Sequence, residues 1–352
     1  MKKAIIVVMC VLALVFVACD LEGLNIPGGN TGNSGNGNGS GQTEDPGNGS
    51  GTGEQGGGSQ GGNQGHGGGE VDPSGGSTEP VHDHTFSDAW SHDWTYHWHA
   101  ATCGHDDVTY AKGTHTYVEG YCSVCGFKEP QVGEAGPAGG LIFHDKGYYS
   151  DGWRFLEAAP SDLRVIGGVP TVDPAAAPPE DGVVKRLFAF GDYVNEETGE
   201  LLFVNGNTAH GADDITKTGL GQGKRNTQML VAAMGEETYR FYTWAVPEDN
   251  EKTTEYAARM CDILVYNGFD DWYLPSKAEL NKMYTELHAK GLGNFHTEVI
   301  DGYTMSDYEA YWSSSENNSD RYKACAQYFS SGQQTELKHR SDRARIRPLR
   351  YF

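Results

Sequence analysis

One stretch of the chain decides how its C-terminal part folds: Asp271-Trp272-Tyr273-Leu274-Pro275-Ser276-Lys277-Ala278-Glu279-Leu280. Ser276 is a favourable helix N-cap, and Glu279 follows at the spacing of a capping box, in which each side chain accepts a backbone N–H of the first turn. Apolar residues recur at helical spacing from Leu280 to Leu287, and Gly291 ends the pattern. A helix of about four turns is marginal alone, so we expect its apolar face to pack against a sheet.

Alternating and helical patterns predict the other elements of this part of the chain. Three runs predict the strands of the sheet: 311–316, 324–329 and 344–347. Two segments predict a hairpin with Asp151-Gly152 at its turn: 139–144 and 152–158. Two further helices are predicted over 226–234 and 254–266. We therefore expect an α+β fold for residues 131–352, a length that allows a substantial core.

The composition divides the 352-residue chain unevenly. Residues 27–80 hold 22 of the 49 glycines and contain no aromatic residue, lysine or arginine. Such a segment cannot bury enough apolar surface to offset its conformational entropy, so we expect residues 19–80 to be a disordered tether rich in Gly, Ser and Asn. The formal net charge of −22 argues against a nucleic-acid partner, because phosphate contacts need a concentrated basic surface.

The first residues predict export. Met1-Lys2-Lys3 precedes an apolar run that extends to Ala18, which is typical of a signal peptide over residues 1–18 and is short for a membrane span. The run ends in Phe16-Val17-Ala18-Cys19, which resembles the relaxed lipobox of spirochaete lipoproteins and implies lipidation of Cys19. Several acyl chains would anchor the protein to a membrane, at the cell surface or outer membrane. An ordinary secretory signal, in which Cys19 is incidental, is the alternative.

Residues 81–130 are rich in cysteine and histidine, with seven of the 13 histidines and three of the seven cysteines. Cys122-Ser123-Val124-Cys125-Gly126 has the spacing at which two thiolates face one tetrahedral ion, with the glycine in the tight turn. We predict a structural zinc site with four ligands: Cys103, His115, Cys122 and Cys125. A segment of about fifty residues offers little core, and zinc would substitute for it.

This segment resembles a zinc-ribbon-like repeat of bacterial surface proteins, in which C-x-x-C-G knuckles lie on either side of a histidine. Ala100 stands where the first cysteine of that repeat would be, so His97 or His99 is an alternative ligand. Two other interpretations stay open. Cys122 and Cys125 could form a local disulfide in an oxidising compartment, or the histidines could be solvated residues of a spacer.

Five motifs occur in order within residues 131–352: the Gly-rich run 133–140, the helix carrying Cys261, the W-x-L-P-[ST]-x-x-E-L run 272–280, the Tyr-Trp-Ser-Ser-Ser-Glu run 311–316 and the alternating arginines of 343–350. Together they resemble the C-terminal domain of bacterial collagen-like adhesins, a family similar to the C-type-lectin-like fold. The resemblance implies an α+β domain whose helices pack on small antiparallel sheets and whose long loops carry any ligand site.

The predicted ligand site combines an aromatic ring with polar side chains: Trp312, Ser314, Glu316, Asn317, Arg343 and Arg345. Sugars stack their apolar faces on aromatic rings and pair their hydroxyls with planar polar groups, and arginines that alternate along a strand could meet an anion. The alternatives are that Trp312 belongs to the core and that acidic neighbours neutralise the arginines. Calcium-mediated binding is disfavoured, because the Glu-Pro-Asn, Gln-Pro-Asp and Trp-Asn-Asp triplets of calcium-dependent lectins do not occur in the sequence.

These observations predict a lipid-anchored surface protein with a non-catalytic, lectin-like domain that binds glycan or matrix protein. The alternative is an exported enzyme on the similar fold of formylglycine-generating enzymes, with Cys261 and Cys325 as reactive thiols. A disulfide between these two cysteines would suit an exported protein and would exclude that chemistry. Residues 131–352 contain no G-x-S-x-G, H-E-x-x-H or phosphate-binding loop.

Overall fold

A computed structural model describes residues 82–178, 180, 182–195, 200–202, 216–242, 245–297 and 310–352. The predicted signal peptide of residues 1–18, the predicted lipidation site Cys19 and the predicted tether of residues 19–80 lie outside these residues. The chain from Thr78 to Phe352 forms one compact unit. Within the described ranges, no helix has both the length and the apolar character needed to cross a membrane.

Five short strands build residues 82–130, which we call the Cys/His module: β1 (Phe86–His92), β2 (Tyr96–Ala101), β3 (Thr109–Thr114), β4 (Tyr117–Val118) and β5 (Tyr121–Cys122). β1, β2 and β3 form an antiparallel sheet in that order, and β4 and β5 form a hairpin. The backbone N–H of Thr102 donates to the carbonyl of Thr85 at 2.8 Å, so the chain that enters β1 lies beside the chain that leaves β2.

The rest of the chain is mixed and strand-rich. Its first strands are β6 (Leu141–Ser150), β7 (Trp153–Ala158), β8 (Arg164–Ile166), β9 (Val169–Thr171), β10 (Val184–Lys185), β11 (Phe188–Ala189), β12 (Tyr193–Asn195) and β13 (Glu200–Leu202). There follow α1 (Gly223–Met234), β14 (Thr238–Phe241), β15 (Glu251–Thr253), α2 (Ala257–Asp262) and α3 (Lys277–Glu286). The last strands are β16 (Ala310–Glu316), β17 (Lys323–Tyr328), β18 (Gln334–His339), β19 (Arg343–Ala344) and β20 (Leu349–Tyr351). Short 3-10 turns cover Pro247–Asp249 and His288–Lys290.

All strand pairs of these sheets are antiparallel, and the sheets are small. The three-stranded sheets have the orders β20-β7-β6, β10-β8-β9 and β16-β17-β18, and the two-stranded ones are β11-β19, β12-β13 and β14-β15. This architecture is compatible with the predicted α+β class.

Several predicted elements are confirmed and two are corrected. The β6–β7 hairpin turns at Asp151 and Gly152, which both have positive φ. α3 begins at the predicted capping box. The predicted helix over 254–266 is wrong in length: α2 ends at Asp262, and a turn at Asn267-Gly268, both with positive φ, follows it. The predicted strand 344–347 is only partly confirmed: Arg345 lies beside β16 through a parallel bridge to Tyr311, but β19 ends at Ala344 and pairs with β11, and the strand beside β17 is β18.

The apolar face of α3 explains why this helix forms where it does. Leu280, Met283 and Leu287 are all fully buried, and they lie in one apolar cluster with Tyr311 and Phe329 of the neighbouring sheet region. Burying an aliphatic side chain of this size contributes roughly 1.5–3 kcal/mol, so packing of these three residues stabilises a helix that would be marginal alone. A second cluster joins α1 and α2 to the other side of β16.

The Cys/His module contacts the hairpin of β6 and β7. Arg154 on β7 donates to Glu129 at 2.5 Å and to Asp145 at 2.7 Å, and the hydroxyls of Tyr96 and Tyr149 are 3.1 Å apart. The side chain of Arg154 is 12 % exposed, so its pairing with Glu129 is largely shielded from water. These contacts hold the module against the C-terminal part of the same compact unit.

Candidate metal centre

Four potential ligands converge at one end of the Cys/His module, and we call them the buried cluster: His97, His115, Cys122 and Cys125. β2 carries His97, and His115 follows β3 directly. Cys122 ends β5, and the turn after it is closed by the N–H of Gly126, which donates to the Cys122 carbonyl at 2.9 Å. Gly126 has a φ of 75°, a conformation that glycine adopts without strain. The knuckle therefore turns both thiols toward the sheet.

The spacing of these ligands fits a tetrahedral ion. The Sγ of Cys122 lies 3.8 Å from Nδ1 of His97, and the Sγ of Cys125 lies 3.5 Å from Nδ1 of His115. All four ligand atoms lie within 4.8 Å of one another. Zinc–sulfur and zinc–nitrogen bond lengths in a tetrahedron place neighbouring ligand atoms roughly 3.5–3.8 Å apart. The buried cluster can therefore hold a metal ion with little rearrangement.

A second contact orients His115. Its Nε2 lies 2.9 Å from the carbonyl oxygen of Asp93, so Nε2 carries the proton and donates it to that carbonyl. Nδ1, which faces Cys125, is then the unprotonated nitrogen that a metal requires. Such a bond from the second ring nitrogen fixes the tautomer and the ring orientation in most histidine metal sites.

The electrostatic environment favours a negative charge on the knuckle. Burial opposes ionisation of Cys122, but backbone hydrogen bonds, which include those from the N–H groups of Cys125 and Val124, outweigh it and lower the pKa of Cys122 to about 6. Burial and the neighbouring Cys122 thiolate raise the pKa of Cys125. The pair thus shares one proton at neutral pH, and a metal ion would displace it.

The structure corrects the predicted zinc ligand set at one position. Three predicted ligands (His115, Cys122 and Cys125) meet, but Cys103 lies elsewhere and His97 takes the fourth place. The physical reason is strand register: β1 pairs Phe86 with Ala101, so Cys103 leaves β2 beside the start of β1, whereas His97 lies at the other end of β2. His99, the other alternative, packs with its ring tilted against Trp90 and belongs to neither metal-ligand group of the described residues.

Cys103 belongs to a second group of potential ligands, which we call the exposed cluster: His82, His84, Cys103 and His105. The Sγ of Cys103 lies 3.2 Å from Nδ1 of His84 and 3.4 Å from Nδ1 of His105. Hydrogen bonds from His82 and His84 lower the pKa of Cys103 to about 6. The sequence carries a signal for this cluster that our reasoning missed: His84-Thr85-Phe86 and His115-Thr116-Tyr117 are the same kind of triplet, and each precedes a Cys-Gly pair.

The predicted ligand-site residues Trp312 and Ser314 are interior residues, which corrects their predicted role. Both are 0 % exposed. The indole N–H of Trp312 donates to the carbonyl of Phe188 at 2.8 Å, and its ring packs edge-on against Phe190. The hydroxyl of Ser314 donates to the carbonyl of Pro275. Neither side chain can meet a sugar, and the alternative that Trp312 is core is confirmed.

Glu316 and Asn317 also have structural partners. The Glu316 carboxylate accepts from Arg340 at 2.8 Å, and both side chains are almost completely buried. The Asn317 amide donates to the Glu336 carbonyl and accepts from the N–H groups of Ser319 and Asp320, so it shapes the turn after β16. The predicted use of these two residues in ligand binding is therefore also corrected.

The two predicted arginines lie in different places. Arg345 is 3 % exposed and lies 3.7 Å from Asp162, a buried carboxylate that the sequence reasoning did not identify. Arg343, which is partly exposed, lines a separate groove of about 380 Å³ together with Arg240. The predicted pair of ligand-binding arginines is therefore corrected, because Arg345 is buried beside Asp162 whereas Arg343 faces the groove.

The two cysteines of the C-terminal part are free, buried thiols. Neither Cys261 nor Cys325 forms a disulfide. Burial raises the pKa of Cys261 well above its ordinary value and raises the pKa of Cys325 to about 12. Both are therefore protonated at neutral pH, whereas the reactive form of cysteine is the thiolate.

Comparisons of the chain with protein-family models, with curated proteins and with solved structures found no match.

Proposed function

We propose that residues 82–130 form a structural zinc module and that the protein is a non-catalytic interaction protein held outside the cell. The observation that carries the proposal is the buried cluster, in which two thiols and two imidazoles of four residues (His97, His115, Cys122 and Cys125) converge within 4.8 Å. Tetrahedral S₂N₂ sites are typical of zinc, and four protein ligands close the coordination shell. A closed shell leaves no position for a substrate, so the role is structural.

Metal analysis of the purified full-length protein tests this proposal. We expect zinc to co-purify, and we expect Cys122→Ser and His97→Ala to lower both the zinc content and the thermal stability, because structural zinc supplies folding free energy. His92→Ala is the matched control, since His92 is an exposed histidine of the same module outside both clusters. Equal zinc content in His97→Ala and His92→Ala would contradict the assignment.

The proposed interaction role rests on a pocket that contains only one residue of the predicted ligand site, Arg345. This pocket, of about 290 Å³, has one acidic residue in its lining, Asp162, and an excess of basic ones: Arg164, Arg186, Arg345 and His296. Arginine forks recognise carboxylate and sulfate-like groups through paired hydrogen bonds. We therefore propose that the lectin-like domain binds an acidic group of a matrix glycan or matrix protein, and without calcium, because Glu316 is ion-paired with Arg340.

An array of acidic and neutral glycans and matrix proteins tests this role. We expect the full-length protein to bind acidic members, and Arg164→Gln/Arg186→Gln to reduce that binding at least about tenfold, a change of about 1.4 kcal/mol. Lys290→Gln is the control, since Lys290 is an exposed cation that does not line the pocket. Binding that is uniformly absent, or that the double variant leaves unchanged, would refute the proposal.

The proposed location follows from the N-terminal sequence alone. We propose that acyl chains on Cys19 hold the mature protein at the cell surface or outer membrane. Metabolic labelling with a fatty acid, with Cys19→Ala as the negative control, tests it. Unlabelled mature protein would overturn this part of the proposal. The enzyme alternative gains no support, because Cys261 and Cys325 are buried and protonated.

A further inference from the structure

The exposed cluster has the geometry of a ligand set. His82 and His84 precede β1, and Cys103 and His105 follow β2. The ring centroids of His82, His84 and His105 lie 4.9–5.2 Å from one another, and the four ligand atoms all lie within 4.8 Å of one another. Three imidazoles and a thiol are therefore gathered around one point on the surface of the module.

Strand pairing creates this convergence. The N–H of Thr102 donates to the carbonyl of Thr85 at 2.8 Å, and the hydroxyls of these two threonines are 2.6 Å apart. The bonds bring the residue before Thr85 and the residue after Thr102 together, which are His84 and Cys103. The backbone thus fixes half of the ligand set before any metal arrives, and preorganisation of this kind lowers the entropic cost of binding.

We propose that the exposed cluster is a second metal site, which takes a borderline divalent ion such as Zn²⁺ and exchanges it with the surroundings. Imidazole and thiolate ligands suit ions of this class. His82, His84 and Cys103 are exposed, whereas Cys122 and His97 of the buried cluster are 3 % and 6 % exposed. Solvent and competing ligands can reach the exposed cluster, so its ion exchanges faster than the ion of the buried cluster.

Occupancy of this site would change the chain locally. An ion bound by His82, His84, Cys103 and His105 links the segment that enters β1 to the turn that follows β2. The link closes a loop that contains β1 and β2 and adds to the three Thr85–Thr102 contacts. The site therefore acts as a metal-dependent clamp on the first described residues of the module.

Titration of the metal-stripped full-length protein with Co²⁺ tests the proposal, because cobalt–thiolate bonds absorb light in proportion to the number of thiolates. Since zinc-type sites of this kind each hold one ion, we expect the wild type to bind about two equivalents of Co²⁺ per chain. A weak chelator should remove the equivalent bound by the exposed cluster. The double variant His84→Ala/His105→Ala should lose only the Co²⁺ equivalent of the exposed cluster. Cys122→Ser should lose only the equivalent of the buried cluster. His92→Ala is the control.

Alkylation of Cys103 gives a site-resolved readout. Zn²⁺ should slow modification of this exposed thiol in the wild type, a chelator should restore it, and His84→Ala/His105→Ala should remove the effect. A double variant that still binds as many equivalents as the wild type, or a Cys103 modification rate that Zn²⁺ leaves unchanged, overturns the proposal. Failure of the buried site alone has a different signature: Cys103 stays protected by Zn²⁺ and the single equivalent disappears in the double variant.

Discussion

At the scale of single residues, the motifs of the C-terminal part supply hydrogen bonds and ion pairs that hold the protein interior together. The Gly-rich run closes around Glu157, whose carboxylate accepts the N–H groups of Ala138 and Gly140 at 3.1 and 2.8 Å. A Cβ atom at Gly140 would lie 1.9 Å from the carbonyl oxygen of Ala158, so only glycine fits there. Arg350, in the last motif, pairs with Asp271 at 2.8 Å. These motifs therefore position backbone and charge rather than a ligand.

Asp162 is the buried anion on which the arginine motif depends. Its carboxylate accepts from Arg347 and Tyr311, each at 2.8 Å, and lies 2.8 Å from Nδ1 of His296. Burial alone would raise the pKa of Asp162, but the charges of Arg347, His296 and Arg345 outweigh it and lower the pKa.

We predict that Asp162→Asn destabilises the protein by about 3–5 kcal/mol, because it leaves the guanidinium of Arg347 buried without a counter-charge. Denaturant unfolding measures the loss. Asp270→Asn, an exposed control, should change stability by less than about 0.5 kcal/mol. A lowered carboxyl pKa stabilises the fold above the unfolded value, so the difference between wild type and variant should shrink as the pH falls below 3.8. Equal stability of the two variants at neutral pH would be inconsistent with this network.

Cys122 makes metal retention by the buried cluster dependent on pH. Its pKa is lowered to about 6, so the thiolate that binds metal is present above that pH and becomes protonated below it. We predict that the metal-free protein takes up zinc readily at pH 7 and with progressively lower affinity below about pH 6. Competition against a zinc-sensitive dye over this pH range measures the change. An affinity that does not vary with pH would indicate that Cys122 is not a ligand.

At the scale of elements, α3 is the helix whose start is best specified locally. Glu279 N–H donates to the Ser276 hydroxyl, and Ser276 N–H donates to the Glu279 carboxylate at 2.7 Å. Glu279 also accepts from the N–H of Gly221 at 2.9 Å, so the capping box ties α3 to the chain that enters α1.

We predict that Ser276→Ala lowers the free energy of unfolding by about 1–2 kcal/mol, because the first turn loses its cap. We expect a value near the upper end of this range, because the Ser276 hydroxyl also donates to the carbonyl of Gly219 at 2.7 Å. Thermal or denaturant unfolding gives the value, and Ser276→Thr, which keeps a hydroxyl, should recover part of it. A Ser276→Ala protein as stable as the wild type would show that the cap contributes nothing.

Glu279 should make the folding stability depend on pH with a sign opposite to that of the Asp162 contribution. Burial raises the pKa of Glu279 to about 7, and the N–H donors around the carboxylate offset only part of that effect. The folded state then holds a proton that the unfolded state releases, so this residue predicts a loss of stability as the pH rises from about 4.5 to about 7. We expect Glu279→Gln to flatten the stability profile in that interval. A profile with the same slope in wild type and variant would contradict the raised pKa.

At the scale of the whole molecule, the sequence predicts what local patterns encode and misses what long-range pairing decides. The capping box at Ser276, the hairpin at Asp151-Gly152 and the Cys122–Cys125 knuckle depend on residues within a few positions of one another, and all three are present. Cys103 joins His84 only because β1 and β2 take a particular register. Spacing in the sequence cannot report that register.

The ligand site was also predicted wrongly because local sequence patterns do not report long-range packing. An aromatic residue followed by serines, a glutamate and asparagines is compatible with both a sugar site and a buried strand, and only the packing of β16 between two apolar clusters decides for the buried strand. Asp162 lies far from the arginines in sequence, so no local pattern pairs it with Arg345 or Arg347. The candidate functional sites are therefore the surface pocket lined by charged side chains and the two clusters of imidazoles and thiols.

Anomalous diffraction at the zinc absorption edge, from crystals of the native protein, tests directly whether the buried cluster holds one zinc ion. We expect an anomalous peak about 2.0–2.3 Å from ligand atoms of His97, His115, Cys122 and Cys125. A map without that peak, with Cys122 and Cys125 joined in a disulfide, would contradict it.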